Sequence, residues 1–175
     1  STGAVGLNIY GSSRKEWFIS PTIDLGSAAH NYQLEFDAGL TDWGNSGPDV
    51  MGIDDTLAVV ISTDNGVTWS KANTLRIFDV NNPPSNSGQT VIVNLSAYTG
   101  LIKIGFYGVS TISNQDYDVF IDNFKVRTPP SCPVPTTNAV NGLTSTSAGI
   151  SWVENGSAAE WEVEWDTAGF TLGTG

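Results

Sequence analysis

Residues 53–69 read Ile-Asp-Asp-Thr-Leu-Ala-Val-Val-Ile-Ser-Thr-Asp-Asn-Gly-Val-Thr-Trp, and they constrain the fold more than any other stretch. Side chains alternate along a strand, so Leu57, Val59 and Ile61 share one face and Ala58, Val60 and Ser62 the other. A β-branched run that is apolar on both faces belongs in the middle of a sheet, covered on both sides. Asp64-Asn65-Gly66 then supplies residues that tolerate positive φ, so the chain is expected to turn back and pair as a hairpin. Nothing in the stretch carries catalytic chemistry, which leaves function to loops and edges.

The rest of the chain repeats the pattern on a smaller scale. Val5, Leu7 and Ile9 alternate weakly, and Trp17-Phe-Ile-Ser20 is a short extended piece stopped by Pro21. Tyr32, Leu34, Phe36 and Ala38 alternate with Gln33, Glu35 and Asp37, which predicts a half-buried strand with a carboxylate face. Val91, Val93 and Leu95, then Ile102, Ile104 and Phe106, then residues 119–126 give three more. No amphipathic helix of useful length occurs. Short strands at steady spacing with polar turns predict an antiparallel β-sandwich. Trp17 and Trp69 are expected in its core, and His30 on a surface loop.

A proline-rich linker, residues 128–136, divides the chain into residues 1–127 and 137–175. In the second part Trp161, Val163 and Trp165 alternate with Glu160, Glu162 and Glu164, which reads as a strand. About 40 residues are too few for an immunoglobulin-like sandwich, which needs roughly 100.

Charge narrows the partners. Eighteen Asp and Glu face seven Lys and Arg, a formal net charge of −11. Nucleic acid and anionic membranes need basic patches, so neither is an expected partner. Unpaired carboxylates suit either a solvated acidic surface or Ca²⁺, which takes six to eight oxygens. With one cysteine and one histidine, a disulfide framework and a cysteine-based zinc site are excluded within this sequence. No apolar run reaches membrane-spanning length.

Four stretches in order are Trp17-Phe-Ile-Ser-Pro-Thr-Ile-Asp-Leu25, Leu34-Glu-Phe-Asp37, Asp55 through Trp69, and Phe120-Ile-Asp-Asn-Phe-Lys-Val126. Together they resemble the cleaved-adhesin and choice-of-anchor jelly-roll domains of secreted Bacteroidetes proteins, relatives of the MAM domain. Cys132-Pro-Val-Pro135 through Ile150-Ser-Trp152 to Gly175 is similar to the first half of a fibronectin type III repeat. The resemblance implies a jelly-roll sandwich that lacks its first strand, followed by an incomplete immunoglobulin-like unit, both cut from a larger exported protein. It implies a non-catalytic adhesion or ligand-binding module, secreted or on the cell surface, with a glycan or a cell-surface or matrix protein as partner. The alternative it leaves is a spacer or cargo held by a larger assembly, such as type IX secretion machinery.

Two candidate sites follow. Relatives bind structural Ca²⁺, and the resemblance sets Asp37 and Asp122 on facing strands, with Asp116 and Asp118 in the loop that feeds the last strand. Asp122 is the strongest, because a carboxylate within an apolar strand needs a reason. The competing reason is a cap on a bulge, and for Asp54 and Asp55 it is turn chemistry. For sugars, Asp42, Trp43, Asn45 and Asp49 share one long glycine-rich loop, and Tyr107 and Tyr117 could add rings. The competing role for Trp43 is to fold back as a plug on the sandwich end. No Gly-x-Ser-x-Gly, His-Glu-x-x-His or phosphate-binding glycine loop is present.

Overall fold

The structure, a computed structural model, describes residues 3–165 and Thr171. In chain order the strands are β1 (Val5–Asn8), β2 (Arg14–Ile19), β3 (Ile23–Asp24), β4 (Gln33–Asp42), β5 (Thr56–Ser62), β6 (Thr74–Asp79), β7 (Gln89–Asn94), β8 (Leu101–Ser110), β9 (Tyr117–Arg127), β10 (Thr136–Asn141) and β11 (Gly149–Val153). A single 3₁₀ turn, Lys71–Asn73, precedes β6. The chain divides into two compact units, Ser1–Thr128 and Pro129–Gly175.

The first unit is an antiparallel jelly-roll β-sandwich. One sheet runs β1-β9-β4-β7, the other β2-β8-β5-β6 with β3 also on β8. The chain passes back and forth between the sheets, so most neighbouring strands are distant in sequence. Leu34, Phe36, Ala38 and Leu40 of β4 turn inward, and so do Leu57, Val59 and Ile61 of β5 and Ile102, Ile104 and Phe106 of β8. All ten are buried, with no more than 1% of their surface exposed. Phe106 ties the layers together: its ring meets Phe36 edge-on at 5.1 Å and Phe124 at 6.2 Å. Burying a side chain of this size contributes about 1.5–3 kcal/mol.

The outer faces differ sharply. On the four-stranded sheet Glu35 bridges Lys125 (2.7 Å) and Arg127 (2.6 Å), and these contacts hold its carboxyl below the usual carboxylate range. This is the carboxylate face the alternation predicted. Asp37 lies opposite Asp122 where β4 and β9 slip register. Asn123 fills the bulge at φ +51°, a conformation asparagine tolerates.

On the other sheet, β5 sits in the middle, between β8 and β6. The turn after it matches its sequence, with Asn65 at φ +59° and Gly66 at +89°. Both faces of β5 are largely covered, as expected: Val60 (5% exposed) and Ser62 (0%) are buried on the face away from the core, and Ala58 is half-buried. Leu57, Val59 and Ile61 enter the core, while Ala58 and Val60 line an open groove.

In the second unit, β10 and β11 form an antiparallel hairpin. The strand expected at 160–165 is absent among the described residues, and Trp161, Val163 and Trp165 are exposed. Alternation alone does not make a strand, because backbone N–H and C=O groups need a partner edge.

Candidate functional site: an aromatic groove on the five-stranded sheet

The register builds the site row by row. Trp17 lies opposite Tyr107, and Tyr107 opposite Ala58, which faces Ile77. One step along, Ile19 faces Gly105, and Gly105 faces Val60. Lys15 faces Val109, which faces Thr56. With the opposite parity packed into the core, all of these side chains stand on the outer face.

Gly105 lets two indoles come down onto the sheet. A Cβ there would stand 2.7 Å from Cζ3 of both Trp17 and Trp69. A mid-strand glycine commonly marks close approach of another group, and here two indoles rest on the bare backbone. Trp17 stacks on Tyr107 at 4.3 Å and 22°, and meets Trp69 at 5.1 Å and 51°. The three rings form one continuous surface. Trp17 remains 42% exposed. Trp17 and Trp69 are therefore not core residues, contrary to the expectation from sequence.

Trp69 is held by the loop after β5. Asp64 accepts from Ser62 Oγ (2.6 Å), Thr68 N (2.9 Å) and Thr68 Oγ1 (2.5 Å), and Gly66 N donates to Ser62 Oγ (2.8 Å). These donors, the Ser62 hydroxyl foremost, lower the Asp64 carboxyl to about 2. Ser70 then accepts from Ala72 N (3.2 Å), starting the 3₁₀ turn that carries Lys71. Trp69 and Lys71 thus flank a short segment fixed at both ends.

The resulting groove encloses about 720 Å³. That lies within the ~300–1,000 Å³ of ordinary ligand clefts. Lys15, Thr56, Ser70, Lys71 and Thr74 supply polar groups around the rings, and no carboxylate lines it.

The predicted sites fall elsewhere. Trp43 does not plug the sandwich end; it is 60% exposed on its loop. The loop's polar groups are turned on one another. Asn45 donates to Asp42 and accepts from Gly47 N, and Asp49 accepts from Gln115 and from Val50 N. Tyr117 has no exposed surface, so its ring cannot meet a ligand from solvent, and that assignment is corrected.

The four aspartates proposed for Ca²⁺ do not meet at one point. Asp37 accepts from Thr90 and Asn123, and Asp122 from Asn123 N at the bulge. Asp118 lies four residues from Asp122 along β9, about 13 Å. Near it, Asp116 accepts from Asn8 (2.9 Å) and Asp118 from Gly44 N (3.5 Å). Among the described residues no group of three or more Asp, Glu, His or Cys converges as metal ligands.

One acid is out of place chemically. Asp55 is 1% exposed and lies near Ser110 and Tyr117, yet neither of its oxygens has a partner at hydrogen-bonding geometry. The Ser110 proton goes to Ile112 O instead. Burial holds the Asp55 carboxyl above its ordinary range, and burial together with the Asp55 charge pushes the Tyr117 phenol well up. Next door, Asp54 accepts from Thr111 N and Oγ1, Ile112 N and Asn114 Nδ2, which holds its carboxyl far below the usual range. Asp54 therefore staples the loop after β8 to the start of β5, in keeping with the turn chemistry read from sequence.

No family model matches the chain, and no curated protein does. Among solved structures it is similar to TmCBM61 in complex with β-1,4-galactotriose, at 19% identity and a TM-score of 0.43, over 72% of this chain and 70% of that one. It is also similar to a structure described as CBM4, at 16% identity and a TM-score of 0.40, over 74% of this chain and 86% of that one.

Proposed function

We propose that the first unit is a non-catalytic glycan-binding module of an extracellular protein, and that its binding surface is the Trp17–Tyr107–Trp69 groove. The observation that carries this reading is the seating of two indoles on Gly105, beside a stacked tyrosine, with the leading ring open to solvent. A sandwich has no structural need for three adjoining aromatic side chains on an outer face. The exposed surface of Trp17 suits the apolar faces of sugar rings, while hydroxyls of Thr56, Ser70 and Thr74 meet sugar hydroxyls at the rim. Hydrolysis of a glycosidic bond would need a pair of carboxyl groups flanking it, and the groove lining holds none.

Affinity electrophoresis in gels cast with single polysaccharides tests the reading. At least one polymer should retard the protein, Trp17→Ala should abolish the retardation, and Trp43→Ala should preserve it. Retardation that depends on Trp43 and ignores Trp17 would move the site to the loop.

A further inference from the structure

We propose that the groove selects polysaccharides carrying anionic groups, carboxylate or sulfate. This rests on the glycan-binding reading and adds the class of ligand. The argument is one of charge placement. The chain carries eighteen acidic residues against seven basic ones, yet the groove lining contains two lysines, Lys15 and Lys71, and no acid. Elsewhere cations are matched: Arg14 pairs with Glu16, and Lys125 and Arg127 both pair with Glu35. Arg76 donates to Asn82 and lies over the Phe78 ring. Among the described residues Lys15, Lys71, Lys103 and Arg76 have no carboxylate partner, and Arg76 is taken up by Asn82 and the Phe78 ring. Lys15 and Lys71 line the groove, and Lys103 stands on β8 at the same parity as Gly105 and Tyr107.

A solvated lysine needs no partner. However, two unneutralised cations in a groove lining that holds no acid, on a net-negative protein, place positive charge where an anionic substituent would bind. Sugar rings would rest on the exposed surface of Trp17 while ring substituents of negative charge reach Lys15 and Lys71. The bulk charge of the protein repels polyanions, so capture of one by this chain reports the groove and not general stickiness.

The experiment uses the whole chain in affinity electrophoresis and isothermal titration calorimetry. Three arms are compared: a carboxylated polymer (polygalacturonate), a sulfated galactan, and neutral β-1,4-galactan, xylan and mixed-linkage β-glucan. The proposal expects one anionic arm to bind at least tenfold more tightly than every neutral polymer. Which anionic arm binds distinguishes carboxylate from sulfate recognition. Lys15→Gln with Lys71→Gln should weaken that binding about 3- to 10-fold with an unchanged Tm, as expected for loss of two exposed charge pairs. Raising NaCl from 50 to 500 mM should weaken the wild type and weaken the double variant less, or strengthen it as the bulk repulsion is screened. Trp17-dependent binding of neutral polymers that equals or exceeds the anionic ones would overturn the charge inference and leave the glycan site standing. Failure of every polymer to bind would overturn both.

Discussion

Gly105→Ala is the sharpest probe of the groove, because it adds one methyl group beneath two rings and removes nothing. The new carbon would stand 2.7 Å from Cζ3 of Trp17 and of Trp69. Carbon atoms in contact settle near 3.5–4.0 Å, so each ring must retreat by about 0.8 Å or more. Overpacking of this kind costs ~1–3 kcal/mol, against which removing a strand glycine returns ~0.5–1 kcal/mol. The net loss is roughly 0–2.5 kcal/mol, and at about 4 °C per kcal/mol Tm should fall by less than about 10 °C. The rings have solvent on their far side, so they should tilt outward while the fold survives. Two readouts then separate function from stability. The near-UV circular dichroism from the coupled Trp17, Tyr107 and Trp69 rings should collapse, and polysaccharide affinity should fall at least tenfold, about 1.4 kcal/mol. An alanine variant with wild-type affinity and an unchanged aromatic spectrum would refute the claim that Gly105 seats a binding platform.

Other consequences can be checked alongside. Asp64→Ala removes the acceptor that fixes the Trp69 loop, so affinity should drop several-fold and Tm should fall at pH 7 but not near pH 2, which titration calorimetry and thermal scans would follow. Phe106→Ala empties the centre of the sandwich and should cost ~3–5 kcal/mol by urea unfolding. The pH dependence has two limbs of opposite sign. Asp64, held at about 2, contributes stability that is present above the unfolded value of 3.8 and lost as pH falls toward 2, and Asp37, Asp54 and Glu35 act in the same direction. Asp55 is shifted the other way, so its contribution is intact below 3.8 and lost as pH rises through its raised folded value. Asp55→Asn should therefore unfold at higher urea than wild type at pH 8, with the advantage shrinking toward pH 4. A loss in Asp55→Asn that grows from pH 4 to pH 8 would contradict this and show that the ionised carboxylate is used.

Much of the sandwich is legible because alternation with polar punctuation is a local signal. The strand predicted around Leu34, Phe36 and Ala38 is β4, and the run at 57–62 is β5. What alternation cannot supply is which parity faces the core when both are apolar. Leu57, Val59 and Ile61 compete with Ala58 and Val60, and Phe18 competes with Trp17. Ring size favours Trp17 inward, and the structure puts it outward. Two cues pointed the other way: Trp17 shares its parity with Lys15, and Gly105 interrupts β8 two residues before Tyr107. Neither names the partner that fills the gap, since Trp69 arrives from a loop thirty-six residues earlier in the chain than Gly105. Tyr117 failed as a surface residue for the same reason, because its parity with Val119 and Ile121 places it in the core. In the second unit, the Trp161–Trp165 alternation is real but has no partner strand among the described residues.

The most direct measurement is a ¹H–¹⁵N correlation spectrum of the indole N–H groups during titration with an oligosaccharide of the polymer that binds. Six tryptophans give six reporters: Trp17 and Trp69 on the groove, Trp43 on its loop, and Trp152, Trp161 and Trp165 in the second unit. Shifts confined to Trp17 and Trp69 are the predicted result. Shifts at Trp43 with Trp17 and Trp69 unmoved would contradict the account.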